Sequence, residues 1–288
     1  MRSDDDPPGA GIRAAPGATS GRGDDSPVRW AGAFDEAALD FSRLSPLLWD
    51  PVGRATVAEL GLRPGHRVLD ACCGDGASAL PAARAVGASG TVDAVDLSPA
   101  MIELLRRRAS ALPQLAAHAA DATRWAGEGY EAVVCVLGAF FFPDVDGGTE
   151  HLVRRARPGG TVALTFWWAG AMVAPGMALA RAVARERGEV PPAVPPPSRL
   201  QDLGRPEVFA PWLRDRGLVD VAVTTVPHTV PATEDALWLL VLGSGFRGML
   251  GGFRDDARAR IRTGFLAELL GGAPVDATTL VGIGRRPG

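Results

Sequence analysis

Residues 67–76 read RVLDACCGDG, a short apolar run ending in an acid, followed by two glycines one residue apart. The run Arg67–Asp70 predicts a β-strand. Gly74 and Gly76 predict a tight turn, where a ligand can approach bare backbone at a helix N-terminus. A helix over Ala77–Val86 follows, then a strand over Thr91–Val95. Ser98 as N-cap and Pro99 in the first turn open a helix over Pro99–Ser110. Further strands are expected at Leu115–Ala119, Ala132–Leu137 and Thr161–Phe166, with a helix over Thr149–Arg157 before the last. Nearly continuous apolar strands alternating with helices imply a mostly parallel sheet buried on both faces.

Outward from this core, residues 1–27 are rich in Gly, Pro, Asp and Ser and have too few apolar side chains to offset the entropy of ordering. A disordered tail is expected there, followed by one domain over 28–288. Apolar residues recur at helical spacing from Trp30 to Leu60, which suggests two helices broken near Pro46 and Pro51. Beyond Phe166, two helical insertions are expected, at about 169–215 and 231–274. The first contains the stiff run PPAVPPP (191–197). Strands at Val219–Val226 and Thr278–Ile283 complete seven. The expected fold is therefore α/β: a doubly wound, mostly parallel seven-stranded sheet with N-terminal helices and two helical insertions.

Composition excludes several chemistries. Of 288 residues none is Lys or Asn, so Schiff-base chemistry on a lysine and the Gly-Lys-Ser/Thr phosphate loop are ruled out. A net charge of −3 argues against a protein that grips nucleic-acid phosphates. Three cysteines, Cys72, Cys73 and Cys135, form neither a disulfide framework nor a zinc spacing, and no metal site is expected. The amino terminus is acidic without an apolar core, so no secretory signal is expected. Pro158–Ala180 is uncharged and long enough to span a bilayer, but glycines and Pro175 interrupt it and its first half reads as a strand. The expectation is a cytoplasmic protein without a membrane helix.

In an open parallel sheet, ligands bind beyond the carboxyl ends of the strands. Acids stand there on three consecutive strands: Asp70, Asp96 and Asp121. Gly74-x-Gly76-x-x-Ala79 alone also fits a dinucleotide turn, so a nicotinamide-dependent oxidoreductase is one reading. Asp70 and Asp75 bracketing the turn would repel a pyrophosphate and suit a cationic ligand. Asp96 follows the glycine turn by about 20 residues, where a ribose diol is bound. Asp121 can accept from a purine amine. Each acid alone can instead be a helix cap or a surface residue.

Taken together, VLDACCGDGAS, TVDAVDLSPAMIELL, AADATRW, YEAVVCVLGAFFFPD and RRARPGGTVALTFWW resemble class I S-adenosylmethionine-dependent methyltransferases. They are most similar to the small-molecule branch that includes ubiquinone/menaquinone-pathway and natural-product enzymes. The resemblance spans roughly Asp50 to Trp168, and Cys72 departs from it by standing where the loop usually has its first glycine. It implies a Rossmann-like fold with S-adenosylmethionine as cofactor. Asp70 and the backbone of Cys72, Gly74 and Gly76 would hold the methionine part, and Asp96 the ribose. Leu97, Met101, Asp121 and Ala122 would meet adenine, and Leu137 and Gly138 would lie near the sulfonium.

Transfer from a sulfonium needs alignment and exclusion of water, and a base only where the acceptor must lose a proton. His228, following the strand at 219–226, is the candidate base; a loop histidine is the alternative. Phe140, Phe141, Phe142, Trp167, Trp168, Trp212, Trp238 and Phe246 are candidates for the acceptor pocket, which suits a flat apolar small molecule, with at least half of them expected to form the insertion cores instead. The runs at Arg106–Arg108 and Arg154–Arg155 read as solvated helix faces. The leading expectation is methyl transfer from S-adenosylmethionine to a hydrophobic, aromatic or polyketide-like small molecule in bacterial secondary metabolism. A methyltransferase-like cyclase, isomerase or binding protein that keeps the cofactor site is the alternative.

Overall fold

The computed structural model describes residues 27–194 and 199–288, so 1–26 of the expected tail and 195–198, with part of the proline run, lie outside the described residues, and Pro27 opens the first helix. Helices α1 (Pro27–Leu44) and α2 (Trp49–Glu59) precede β1 (Arg67–Ala71) and α3 (Ala79–Val86). Next come β2 (Thr91–Asp96), α4 (Pro99–Arg108), β3 (Leu115–Ala119) and β4 (Tyr130–Val136). Helix α5 (Val145–Arg155) leads into β5 (Ala156–Trp167), and α6 (Val173–Arg187), α7 (Arg199–Asp202) and α8 (Pro206–Asp215) follow. The chain closes through β6 (Val219–Val226), β7 (Thr229–Val230), α9 (Glu234–Leu242), α10 (Asp255–Leu269), β8 (Val275–Asp276) and β9 (Thr279–Arg285).

Seven strands form one sheet in the order β3-β2-β1-β4-β5-β9-β6. All the pairings of β1 to β5 are parallel; β9 runs antiparallel between β5 and β6. The order reverses between β1 and β2 on one side and β4 on the other, which places a crevice over the β1 and β4 tips. Val68, Leu69, Val133, Val134, Ala163 and Leu164 are fully buried or nearly so, because helices cover both faces of these strands.

Two details differ from the sequence reading. Helix α8, within the first expected insertion, packs on the sheet rather than over the strand tips. Its Phe209, Trp212 and Leu213 join the core of Phe166 and Leu280, since the apolar face of α8 covers β6 and β9. Helices α6, α9 and α10 of the insertions build a second core around Leu179, Leu237, Leu240 and Phe265, which also takes in Leu44 and Leu48. The two-residue ladder of β7 and β8 joins the start and end of the second insertion and was too short to read from a periodicity. The uncharged stretch at 158–180 divides into β5 and the first half of α6, and no helix among the described residues is long and apolar enough to cross a membrane.

Candidate active site

The loop after β1 is built by unusual backbone. Cys72 (φ 57°), Gly74 (φ 52°) and Gly76 (φ 102°) all take positive φ. For Cys72 that costs on the order of 1 kcal/mol, which explains why a glycine fits this position more easily. A Cβ on Gly76 would lie 2.4 Å from Leu105 Cδ1 of α4, so the close approach of helix and loop requires glycine there. At the β4 tip, Leu137 also has positive φ (51°), and a Cβ on Gly138 would lie 2.3 Å from Cys72 Cβ. Strained residues and a cradle with no room for a methyl group thus meet over the crevice.

Asp96 joins β2 to this loop. Its Oδ2 accepts from Gly74 N at 2.9 Å and its Oδ1 from Ser98 N at 2.9 Å. A carboxylate offers about four lone-pair positions, so two remain for a diol. Burial pushes the Asp96 carboxyl up, and the N–H donors of Ser98 and Gly74 pull it partly back. At the β3 tip, Asp121 Oδ1 accepts from Thr123 N (2.9 Å) and Thr123 Oγ1 (2.6 Å), and Arg124 lies 3.7 Å from Oδ2.

Not every expected site residue reaches the crevice. Asp70 is fully buried beneath the loop; its Oδ2 accepts from Ser78 Oγ at 2.8 Å and its Oδ1 has no hydrogen-bond partner. Desolvation raises its pKa to about 7, against the lowering by Ser78, so it is not a fully charged rim group at neutral pH. Gly76 likewise packs under the loop and does not line the cavity. Asp75, expected to leave the turn bare and negative, is fully buried and paired with Arg108 of α4 at 2.6 Å. It also accepts from Ser45 Oγ at 2.8 Å, and Arg108 donates to both oxygens of Asp50. Arg108 is therefore not a solvated side chain; it ties the loop and α4 to the α1–α2 segment.

Above these tips lies one cavity of about 710 Å³, within the range of small-molecule sites. At one end it is lined by Cys72, Gly74, Asp96, Leu97, Met101, Asp121, Ala122, Leu137 and Gly138, and at the other by Phe141, Phe142, Trp167 and Trp168. The sequence reading missed the roof: Phe34, Phe41 and Trp49 from α1 and α2, with Phe41 and Trp49 stacked at 5.0 Å between centroids. Helical spacing marked those helices as amphipathic but not what they cover. Asp35 of α1 accepts from Ser98 Oγ and from Ala100 N (3.1 Å), fixing the roof to the start of α4. Met172, Met177, Phe246 and Met249 close the acceptor end from the insertions, with Gln201 and Ser244 as polar points.

Two further expectations are corrected. Trp238 packs with Phe265 in the helical core and does not line this cavity, because α9 turns it outward from the strand tips. His228 does not line it either: its Nε2 bonds Leu47 O at 2.7 Å, on the turn between α1 and α2. No group of three or more His, Cys, Asp or Glu side chains among the described residues can hold a metal ion.

The donor set fits a cationic nucleoside better than a phosphorylated one. Two carboxylates and no arginine line the cavity among the described residues, so a diphosphate would meet like charge without a counter-ion. Residues 68–160 match the family model described as a methyltransferase domain. Together with the sheet order and the strand-tip acids, this makes the core a class I S-adenosylmethionine-dependent methyltransferase domain, with S-adenosylmethionine as its cofactor. The chain is 32% identical over 137 residues to aklanonic acid methyltransferase DauC of Streptomyces sp. strain C5, covering 46% of this chain and 62% of that protein. It is 32% identical over 142 residues to the nocamycin O-methyltransferase of Saccharothrix syringae, covering 48% of each. The chain thus spans about half the length of the curated relatives it matches, including an uncharacterised Mycobacterium tuberculosis protein matched over 47% of its length at 34% identity. Among solved structures, the fold resembles phosphoethanolamine N-methyltransferase 2 of Haemonchus contortus. The TM-score is 0.51 at 19% identity, over 82% of this chain and 52% of that one.

Proposed function

We propose that the chain transfers a methyl group from S-adenosylmethionine to a hydrophobic small molecule of polyketide or aromatic type, in bacterial secondary metabolism. The observation that carries this is the single cavity joining the strand-tip acids to an aromatic chamber. The two curated relatives named for methylation of aklanonic acid and of nocamycin support it. When bound, the cofactor supplies an activated methyl group on a sulfonium. In this reading Asp96 takes the ribose hydroxyls on its free lone pairs, and Leu97, Met101, Asp121 and Ala122 frame the adenine. The backbone of Cys72 and Gly74 holds the methionine part, and Gly138, lacking a side chain, lets the β4 tip close against Cys72 beside the sulfonium. Asp70 acts from below by fixing the loop through Ser78.

The aromatic chamber aligns the acceptor and excludes water. Holding two reactants in an attack geometry lowers the barrier by several kcal/mol, so the chain need not supply a nucleophile of its own. The experiment is incubation of the purified chain with methyl-labelled S-adenosylmethionine and a panel of aromatic polyketide acids and phenols, read by mass spectrometry. A product heavier by one methyl group is expected. Cofactor binding with every acceptor recovered at unchanged or rearranged mass would refute transfer.

A further inference from the structure

Side chains that accept protons near neutral pH are absent from the acceptor chamber, among the described residues, and this specifies the acceptor. Such work falls to His, to an Asp or Glu, or to a Lys, Tyr or Cys moved from its usual range. The chain has no lysine and one tyrosine. Tyr130 accepts from Trp125 Nε1 at 2.9 Å and donates to Asp93 at 2.8 Å, away from the cavity. All four histidines are engaged elsewhere. His66 accepts from Arg63 N, His118 pairs with Asp93, His151 bonds Trp125 O and His228 bonds Leu47 O.

Three titratable groups among the described residues do line the cavity: Cys72, Asp96 and Asp121. All stand at the strand tips, at the opposite end from the aromatic chamber, and each has partners within the chain. Cys72 shares a hydrogen bond with Cys135, which together with burial pushes its thiol up. Asp96 is held by two backbone N–H groups, and Asp121 by Thr123 with Arg124 nearby.

Resting on the methyl-transfer reading, we infer that the acceptor is an apolar acid, a carboxylate or a comparably acidic enol. Its oxygen is ionised before it enters, and the sulfonium is its counter-charge. The oxygen lone pair forms the new C–O bond as the C–S bond breaks, and the electron pair of that bond returns to sulfur. An anion and a sulfonium become a neutral ester or enol ether and a thioether, with no proton released. An aliphatic alcohol would have to shed a proton, for which the chamber offers no receiver. An isolated anion in an apolar chamber is costly, and a cation a few ångströms away offsets that cost.

The test uses the full chain with two unreactive cofactor analogues. Sinefungin carries an ammonium where the sulfonium sits; S-adenosylhomocysteine is neutral there. Calorimetry at pH 7.5 compares 2-naphthoate and 2-naphthalenemethanol on each complex. Naphthoate is expected to bind roughly tenfold or more tightly to the sinefungin complex, and the alcohol equally to both. Equal affinity of naphthoate for the two complexes, or binding to neither, overturns the inference. Failure of both analogues to bind the chain overturns the methyltransferase reading instead.

Discussion

Replacing Asp70 with Asn tests how the loop is charged. Asp70 is fully buried, accepts one hydrogen bond from Ser78, and has its pKa raised from 3.8 to about 7, chiefly by desolvation. A carboxyl whose folded pKa exceeds its unfolded value holds its proton more tightly when folded. Its contribution to stability is therefore full below the unfolded pKa and is lost as pH rises through about 7. At about 1.4 kcal/mol per pKa unit, the full loss is about 4 kcal/mol, of which roughly a third has already occurred at pH 5. Asn keeps the shape and the acceptor for Ser78 but never ionises. Asp70→Asn is thus expected to gain about 3 kcal/mol over the wild type between pH 5 and pH 8, roughly 6 to 12 °C in Tm for a domain of this size. Thermal melts of both proteins at the two pH values measure this directly. A Tm difference that does not change with pH would show that Asp70 is ionised throughout and that the loop carries the full charge.

Other perturbations probe the site from different sides. Gly138→Ala places a Cβ 2.3 Å from Cys72 Cβ, and calorimetry should show a loss of S-adenosylhomocysteine affinity of roughly tenfold or more. Adding Cys72→Gly to that variant removes the clash and should restore most of the affinity. Asp96→Ala removes the acceptor for Gly74 N and Ser98 N and should weaken S-adenosylhomocysteine by roughly a hundredfold, measured the same way. Arg108→Gln leaves the buried Asp75 without its cation and should cost about 3 kcal/mol in urea unfolding, much of it regained with Asp75→Asn. His228→Gln should leave the transfer rate within about twofold, since His228 does not line the cavity.

The sheet was legible because its strands carry runs such as Ala132–Leu137, whose unbroken hydrophobicity has few uses outside a doubly covered parallel sheet. The strand tips were legible for the same reason, since topology sends Asp96, Asp121 and Gly138 to one edge. What the sequence hid were pairings across long separations. Arg108 sits in a run of three arginines that reads as solvent-facing, yet it meets Asp75, 33 residues back, and Asp50, 58 back. An unpaired acid and a buried ion pair look alike in one dimension, so the turn reads as bare and negative in the sequence while Arg108 neutralises Asp75 in the fold. Phe34, Phe41 and Trp49 carried a helical rhythm, but periodicity gives a buried face and not its partner. Trp238 lies in an insertion that sequence order brings near the strand tips, but the packing of α9 sends it to the helical core.

A cavity lined by two carboxylates and no arginine among the described residues should accept S-adenosylmethionine and not a phosphorylated dinucleotide. Titration calorimetry of the purified chain with S-adenosylhomocysteine and, separately, with NAD and NADP decides this. One molecule of S-adenosylhomocysteine bound per chain, with no heat from either dinucleotide, is the predicted result. Saturable dinucleotide binding with none of S-adenosylhomocysteine would contradict it.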